Sequence, residues 1–122
     1  MTSEALPDIA AMPRVARDIE HCLRFIAQQP WGQPAQRERD IDRGIFEIRL
    51  GPTLNDIGAR RPALGIELRR HNAAQFAIIY AYLPPSSRFP RGMVSIRAVR
   101  HSNVQNVFSG VREPSALPYS FG

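Results

Sequence analysis

Three residues in the C-terminal half have the types and spacing for phosphodiester chemistry. They are Glu67, Arg97 and His101. A ribonuclease working without metal needs a base for the 2′-hydroxyl, an acid for the leaving 5′-oxygen and cations on the phosphate. Glu67 has the chemistry of a base. His101, with His71 as a second candidate, has the chemistry of an acid or base. Arg69, Arg97 and Arg100 are the candidate phosphate ligands. Arg97 and His101 are four residues apart in an extended run, so alternation puts them on one face. At ~3.3 Å per residue their Cα atoms lie roughly 13 Å apart. Only long side chains reaching over one substrate would let them cooperate. Arg97 and Arg100 face opposite ways unless a bulge intervenes.

Each of these residues also has a plain structural role open to it. His101 ends a strand and can bond backbone in the turn that follows. His71 lies beside a hairpin turn, where a solvated ring is common. Glu67 and Arg69 can form an ion pair, worth little at a surface. No lysine exists anywhere in the chain: all 16 basic residues are Arg. That excludes a lysine base, a Schiff base and a P-loop cation. The acid–base set is incomplete, which favours recognition over catalysis. No cofactor or metal motif is present.

The charge is divided unevenly. Residues 1–56 hold seven Arg against nine Asp and Glu, a net of −2, and residues 57–122 hold nine Arg against two Glu, a net of +7. The basic half attracts an acidic protein segment or nucleic acid. Arg60, Arg61, Arg69, Arg97, Arg100 and His101 are its candidate partner-binding residues.

The elements that position these groups read as follows. At 122 residues the chain makes one domain with one core. The core spans about residues 9–108, and residues 109–122 form a loosely ordered tail. Residues 9–12 are a short edge strand. Pro13 opens a helix to about Gln29, with Val15, Ile19, Cys22, Leu23 and Ile26 on its buried stripe. Arg14–Asp18 and Glu20–Arg24 are i, i+4 pairs on its exposed side. Cys22 is a buried thiol, not a nucleophile. Trp31, in the Pro/Gly connector, plugs the helix pair. A second helix runs from Pro34 to Leu50, with Ile41, Ile45 and Ile48 on its stripe. Gly44 weakens it by ~1 kcal/mol relative to Ala. Residues 53–62 read as a loop.

Three strands follow. Leu64 to His71 alternates and turns through Asn72–Ala74 into Gln75–Leu83, an apolar run buried on both faces. A proline-rich loop too short for a helical crossover leads to Met93–His101, making that strand antiparallel as well. A short helical segment closes the core, with Val104, Val107 and Phe108 packing back. The result is an α+β fold: a helical hairpin on a small, mainly antiparallel sheet, in the order β-α-α-β-β-β. No run approaches a membrane span and the N-terminus lacks a signal-peptide pattern, so a cytoplasmic protein is expected.

Several stretches, in this order and spacing, resemble the RelE/ParE superfamily of toxins from type II toxin–antitoxin systems. Pro13-Arg-Val-Ala-Arg-Asp-Ile-Glu-His-Cys-Leu-Arg-Phe-Ile-Ala27 is similar to the family's opening helix. Arg61-Pro-Ala-Leu-Gly65 resembles the Arg-Pro-Glu-Leu-Gly that often precedes its second strand. Leu68-Arg-Arg followed by Phe76-Ala-Ile-Ile-Tyr80, and Val94-Ser-Ile-Arg-Ala-Val-Arg-His101, resemble its later strands. The resemblance is closer to ParE than to RelE. It implies a toxin held inactive by a cognate antitoxin and directed, as in ParE, at DNA gyrase. The RelE alternative implies an mRNA endoribonuclease, with RNA as substrate. A third possibility is a non-toxic interaction module of the same fold. Sequence-specific DNA binding is not expected of this chain, since such systems place it mainly in the antitoxin. The antitoxin is expected at a sheet edge or in a groove beside the helical hairpin. The long loop Pro84–Gly92 and the weak first strand depart from the ParE pattern.

Overall fold

The computed structural model describes residues 6–62, 65–104, 106–108, 110 and 111. Seven elements follow one another: β1 (Asp8–Ala11), α1 (Pro13–Ala27), α2 (Pro34–Leu50), β2 (Ile57–Arg61), β3 (Ile66–Ala73), β4 (Phe76–Leu83) and β5 (Met93–His101). The sheet order is β1-β5-β4-β3-β2. β1 pairs parallel to β5, and the other neighbours are antiparallel. The helical hairpin therefore carries the chain from one sheet edge to the other across a single face. This is the expected α+β arrangement, with one strand more.

The extra strand is β2, within the stretch read as a loop. Ile57-Gly-Ala-Arg-Arg61 lacks a β-branched run and is interrupted by a register shift between Ile57 and Ala59. It is a strand because β3 offers it a ladder, not by its own propensity. The β3–β4 turn also falls later than expected. Ala73 pairs with Phe76, so the two turn residues are Ala74 and Gln75, with Ala74 at φ +55°. An alanine there gives no turn signal of the Asn-Gly kind.

Both faces of the sheet are covered. On the helical side Val15, Cys22 and Ile26 of α1 and Ile41 and Ile48 of α2 pack on Phe76, Ile78, Tyr80, Val94, Ile96 and Val99. Gly44 sits where α2 approaches the sheet most closely: a Cβ there would lie 2.6 Å from the Ala73 Cβ and 2.9 Å from the Ile78 Cδ1. What costs helix propensity permits close helix–sheet packing. On the other side Leu68, Ala77, Ile79, Ala81 and Ala98 meet Val107 and Val111, with Phe108 packed alongside. The run Phe76–Ala81 is thus buried on both faces, as expected of the central strand.

Two expectations need correction. Trp31 does not plug the helix pair; it is 61% exposed. The closing helix is absent among the described residues: 102–104 and 106–108 form turns and a bend. Asn106 at φ +58° and Gly110 at φ +76° break the right-handed backbone a helix requires. The core also extends past residue 108, since Val111 is buried. The rest of the tail reading, at 109 and 112–122, lies outside the described residues.

Candidate functional site

The site grows from a mismatch in strand length. β1 has four residues and pairs only with Met93–Ile96 of β5. Beyond that point the edge of β5 needs other partners, because buried backbone groups left unpaired are costly. Helix α1 supplies them. The Val99 N–H donates to Asp18 Oδ2 at 3.1 Å, and Cys22 Sγ lies 3.9 Å from the Val99 carbonyl oxygen. Arg14 Nε is 3.4 Å from the same Asp18 oxygen. Sequence reading had Arg14–Asp18 as a surface pair; its second task at the strand edge was not legible.

Where α1 and β5 separate, a cavity of about 250 Å³ opens. Cys22, Val99 and Val104 give it an apolar lining, and Asp18, His21, Arg100 and His101 complete it. Burial, with Asp18 adding to it, pushes the Cys22 thiol up to about 11, so it is no nucleophile near neutral pH. His101 is held between two rings: Phe25 edge-on at 5.3 Å and Phe76 tilted at 5.4 Å. Burial and then His21 lower its pKa from the ordinary histidine value. Its Nε2 is buried and has no hydrogen-bond partner among the described residues. A general acid or base must reach the proton it moves, and this ring nitrogen is buried.

The other candidates do not converge on His101. Glu67 sits on β3 opposite Arg60 of β2, and these two form the exposed ion pair, at 3.4 Å. Glu67 and Arg69 share a strand face, and Arg69 instead donates to the Asn55 carbonyl. Arg97 is only 4% exposed. The β4–β5 register shifts where Tyr80 pairs with Ile96 and Ile79 with Ala98. Arg97 is the extra residue, and such a bulge resets the alternation. Ala98 therefore packs on the face opposite Val94 and Ile96, and Val99 joins them. Arg97 Nη1 lies 3.7 Å from the Met12 sulfur, on the α1 side. It is a buried group, not the surface cation the alternation implied.

Four arginines act as clips on one segment. Arg61 donates through Nη2 to the Phe108 carbonyl at 2.9 Å and through Nε to that of Val111 at 3.3 Å. Arg70 donates to Ser102 at 2.9 Å, Arg100 to Val107 at 2.8 Å and Arg14 to Gly110 at 3.4 Å. Four elements thus hold Ser102, Val107, Phe108, Gly110 and Val111 through their backbone carbonyls. These carbonyl acceptors are neutral, and Arg14 also pairs with Asp18. Of the six candidate partner-binding residues, Arg60 is the one with an exposed side chain.

A second polar network, missed in the sequence, fixes the loop between α2 and β2. Tyr80 donates to the Pro52 carbonyl at 2.7 Å and accepts from Asn55 Nδ2 at 3.2 Å. Asn55 Nδ2 also lies 3.1 Å from His71 Nδ1, and His71 Nε2 lies 2.8 Å from Glu47 Oε1. With the amide nitrogen facing it, Nδ1 accepts and Nε2–H donates to the carboxylate. His71 is therefore bonded at both nitrogens, not solvated. Burial raises the Tyr80 pKa, against the lowering effects of Asn55 and Arg69. No cluster of three or more metal-binding side chains occurs among the described residues. No described helix is long and apolar enough to cross a membrane.

Comparison with known proteins adds no family: no protein-family model and no curated protein matches this chain.

Proposed function

We propose that this chain is the toxin of a type II toxin–antitoxin module, ParE-like in action: it inhibits DNA gyrase by binding, in the cytoplasm, and a cognate antitoxin neutralises it. The resemblance along residues 9–108 motivates the reading. The helical hairpin on a mainly antiparallel sheet is the arrangement that resemblance implies.

One observation favours binding over RNA cleavage. The candidates Glu67 and His101 do not meet: Glu67 pairs with Arg60 across β3 and β2, while His101 contacts Phe25 and Phe76 at the α1–β5 end, and the third candidate, His71, is bonded at both ring nitrogens, to Asn55 and Glu47. Effective acid–base catalysis needs both groups within hydrogen-bond reach of one substrate. The uneven charge, +7 over residues 57–122, suits an acidic antitoxin segment and steers its approach.

The test is to induce the chain alone and score growth, DNA replication and translation separately, then add purified chain to gyrase and to mRNA with and without ribosomes. The reading expects arrested replication, blocked supercoiling and intact RNA. RNA cleavage abolished by His101→Ala would establish the endoribonuclease instead. Unaffected growth would leave a non-toxic interaction module.

A further inference from the structure

We propose that His71 is a pH-sensitive latch on the loop between α2 and β2: when the ring takes up a proton, Asn55 turns its amide and the Pro52 carbonyl loses its bond from Tyr80. The inference does not depend on the toxin reading. Side chains from four places in the chain meet here: Glu47 on α2, Asn55 in the loop, His71 on β3 and Tyr80 on β4.

The hydrogens of this network can be counted. The Tyr80 hydroxyl has one, and it goes to the Pro52 carbonyl at 2.7 Å. Toward Asn55, 3.2 Å away, that hydroxyl is therefore an acceptor. The two hydrogens on Asn55 Nδ2 go to Tyr80 and to His71 Nδ1, the latter 3.1 Å away. Nδ1 must then be bare. The single hydrogen of a neutral ring sits on Nε2 and points at Glu47 Oε1, 2.8 Å away. Each donor has one acceptor, and the ring is uncharged.

A proton on Nδ1 breaks this count, because two donors would face each other across 3.1 Å. Turning the Asn55 amide keeps every side chain bonded, since it puts Oδ1 where Nδ2 stood. Oδ1 accepts from Nδ1–H, but it then faces the Tyr80 oxygen as well. Two acceptors repel there unless the Tyr80 hydrogen swings from Pro52 to Oδ1. The network thus has two self-consistent settings, one for each charge of the ring. In the first, the sheet holds the loop at both Pro52 and Asn55. In the second, the Arg69 bond to the Asn55 carbonyl remains and the Pro52 bond is gone. The segment between these two points carries Leu54, 85% exposed.

The ring is placed to change charge. Histidine is the side chain whose charge ordinarily changes between pH 5 and 8. The His71 side chain is 19% exposed and that of its partner Glu47 48%, so a proton arrives without unfolding. Glu47 Oε1 accepts from Nε2 in both settings. Arg69 shares the His71 face of β3, whereas Arg70 points to the other face and reaches Ser102. Tyr80 comes from β4, and burial keeps its hydroxyl protonated here. Arg43 stands one turn before Glu47 on α2 and Asp56 follows Asn55; both are exposed.

The experiment is an NMR titration of the full chain from pH 8 to pH 5. The ring nitrogens report tautomer and charge. The Thr53 amide shares a peptide group with the Pro52 carbonyl and reports the Tyr80 bond. The Nε2–H tautomer is expected at pH 8, with the Asn55 side-chain amide and the Thr53 amide both shifting at the midpoint of the His71 ring. Tyr80→Phe should lose the Thr53 shift and keep that of Asn55. His71→Gln should lose both, and circular dichroism checks that each variant folds. Four results overturn the proposal: an Nδ1–H ring at pH 8, a ring still neutral at pH 5, Asn55 and Thr53 amides that do not follow the ring, or a Thr53 shift that survives in folded Tyr80→Phe. Should Tyr80→Phe fail to fold, the wild type and His71→Gln decide: a Thr53 shift that follows the ring and vanishes with it supports the latch, and any other pattern removes it.

Discussion

Replacing Asp18 by Ala removes the acceptor that closes the edge of β5. Val99 is buried, and its N–H donates to Asp18 Oδ2 at 3.1 Å. A buried donor left without a partner costs about 1–3 kcal/mol. The partly exposed Arg14–Asp18 pair contributes about 0.3–0.5 kcal/mol more. Alanine recovers up to about 0.7 kcal/mol through its better helix propensity. The net expectation is a loss of about 0.6–2.8 kcal/mol. Asp18→Asn keeps a carbonyl oxygen in place and should cost less than about 1 kcal/mol. Urea denaturation reads these differences as a lower midpoint with an unchanged slope. Amide exchange then locates them: the Val99 N–H should lose protection in Asp18→Ala and largely keep it in Asp18→Asn. If Asp18→Ala matches the wild type in both midpoint and Val99 exchange, α1 does not close this edge and the account of the site is wrong.

Gly44→Ala should destabilise the fold by about 1–3 kcal/mol through overpacking against Ala73 and Ile78, although alanine is the better helix former; a raised midpoint in thermal unfolding would refute the close approach. Burial, and then Asp18, push the Cys22 thiol from its ordinary value of about 9 up to about 11. A raised folded pKa contributes stability that is whole below about pH 9 and fades as pH rises toward 11, by up to about 2–3 kcal/mol. Cys22→Ala should flatten that alkaline decline, and an identical decline in both proteins would contradict the burial argument. His101 has its pKa lowered by burial, so the unfolded chain binds its proton first as pH falls below the ordinary histidine range. Acid should therefore cost stability from about pH 6.5 downward, less so in His101→Asn; proton NMR that finds His101 titrating at or above the ordinary histidine value would overturn this.

The helices were legible because their burial follows a period the side chains display. Val15, Cys22 and Ile26 lie on the expected stripe of α1, and Ile41 and Ile48 on that of α2. The central strand was legible because burial on both faces requires an unbroken apolar run. β2 was not, since Ile57–Arg61 gains its conformation from the β3 ladder. The bulge at Arg97 was invisible for a related reason. Alternation is a property of paired strands, and one unpaired residue inverts everything after it. This moved Ala98 and Val99 to opposite faces from those expected. The arginines show a different limit. Residue type declares a charge and five donors but not the acceptor. Arg61, Arg70 and Arg100 spend donors on the carbonyls of a turn, and nothing local to them announces it. Asp18 and His21 were passed over because a helix reading assigns exposed polar residues to solvent.

The central claim is that this fold acts by binding, without phosphodiester chemistry. Its most direct measurement is gyrase supercoiling of plasmid DNA with increasing amounts of the purified chain, run beside mRNA incubated with the same protein, with and without ribosomes. The account predicts that supercoiling falls with dose, that His101→Ala still inhibits, and that the RNA stays full length. Supercoiling that proceeds unchanged while the RNA is cut, with cutting lost in His101→Ala, would contradict it.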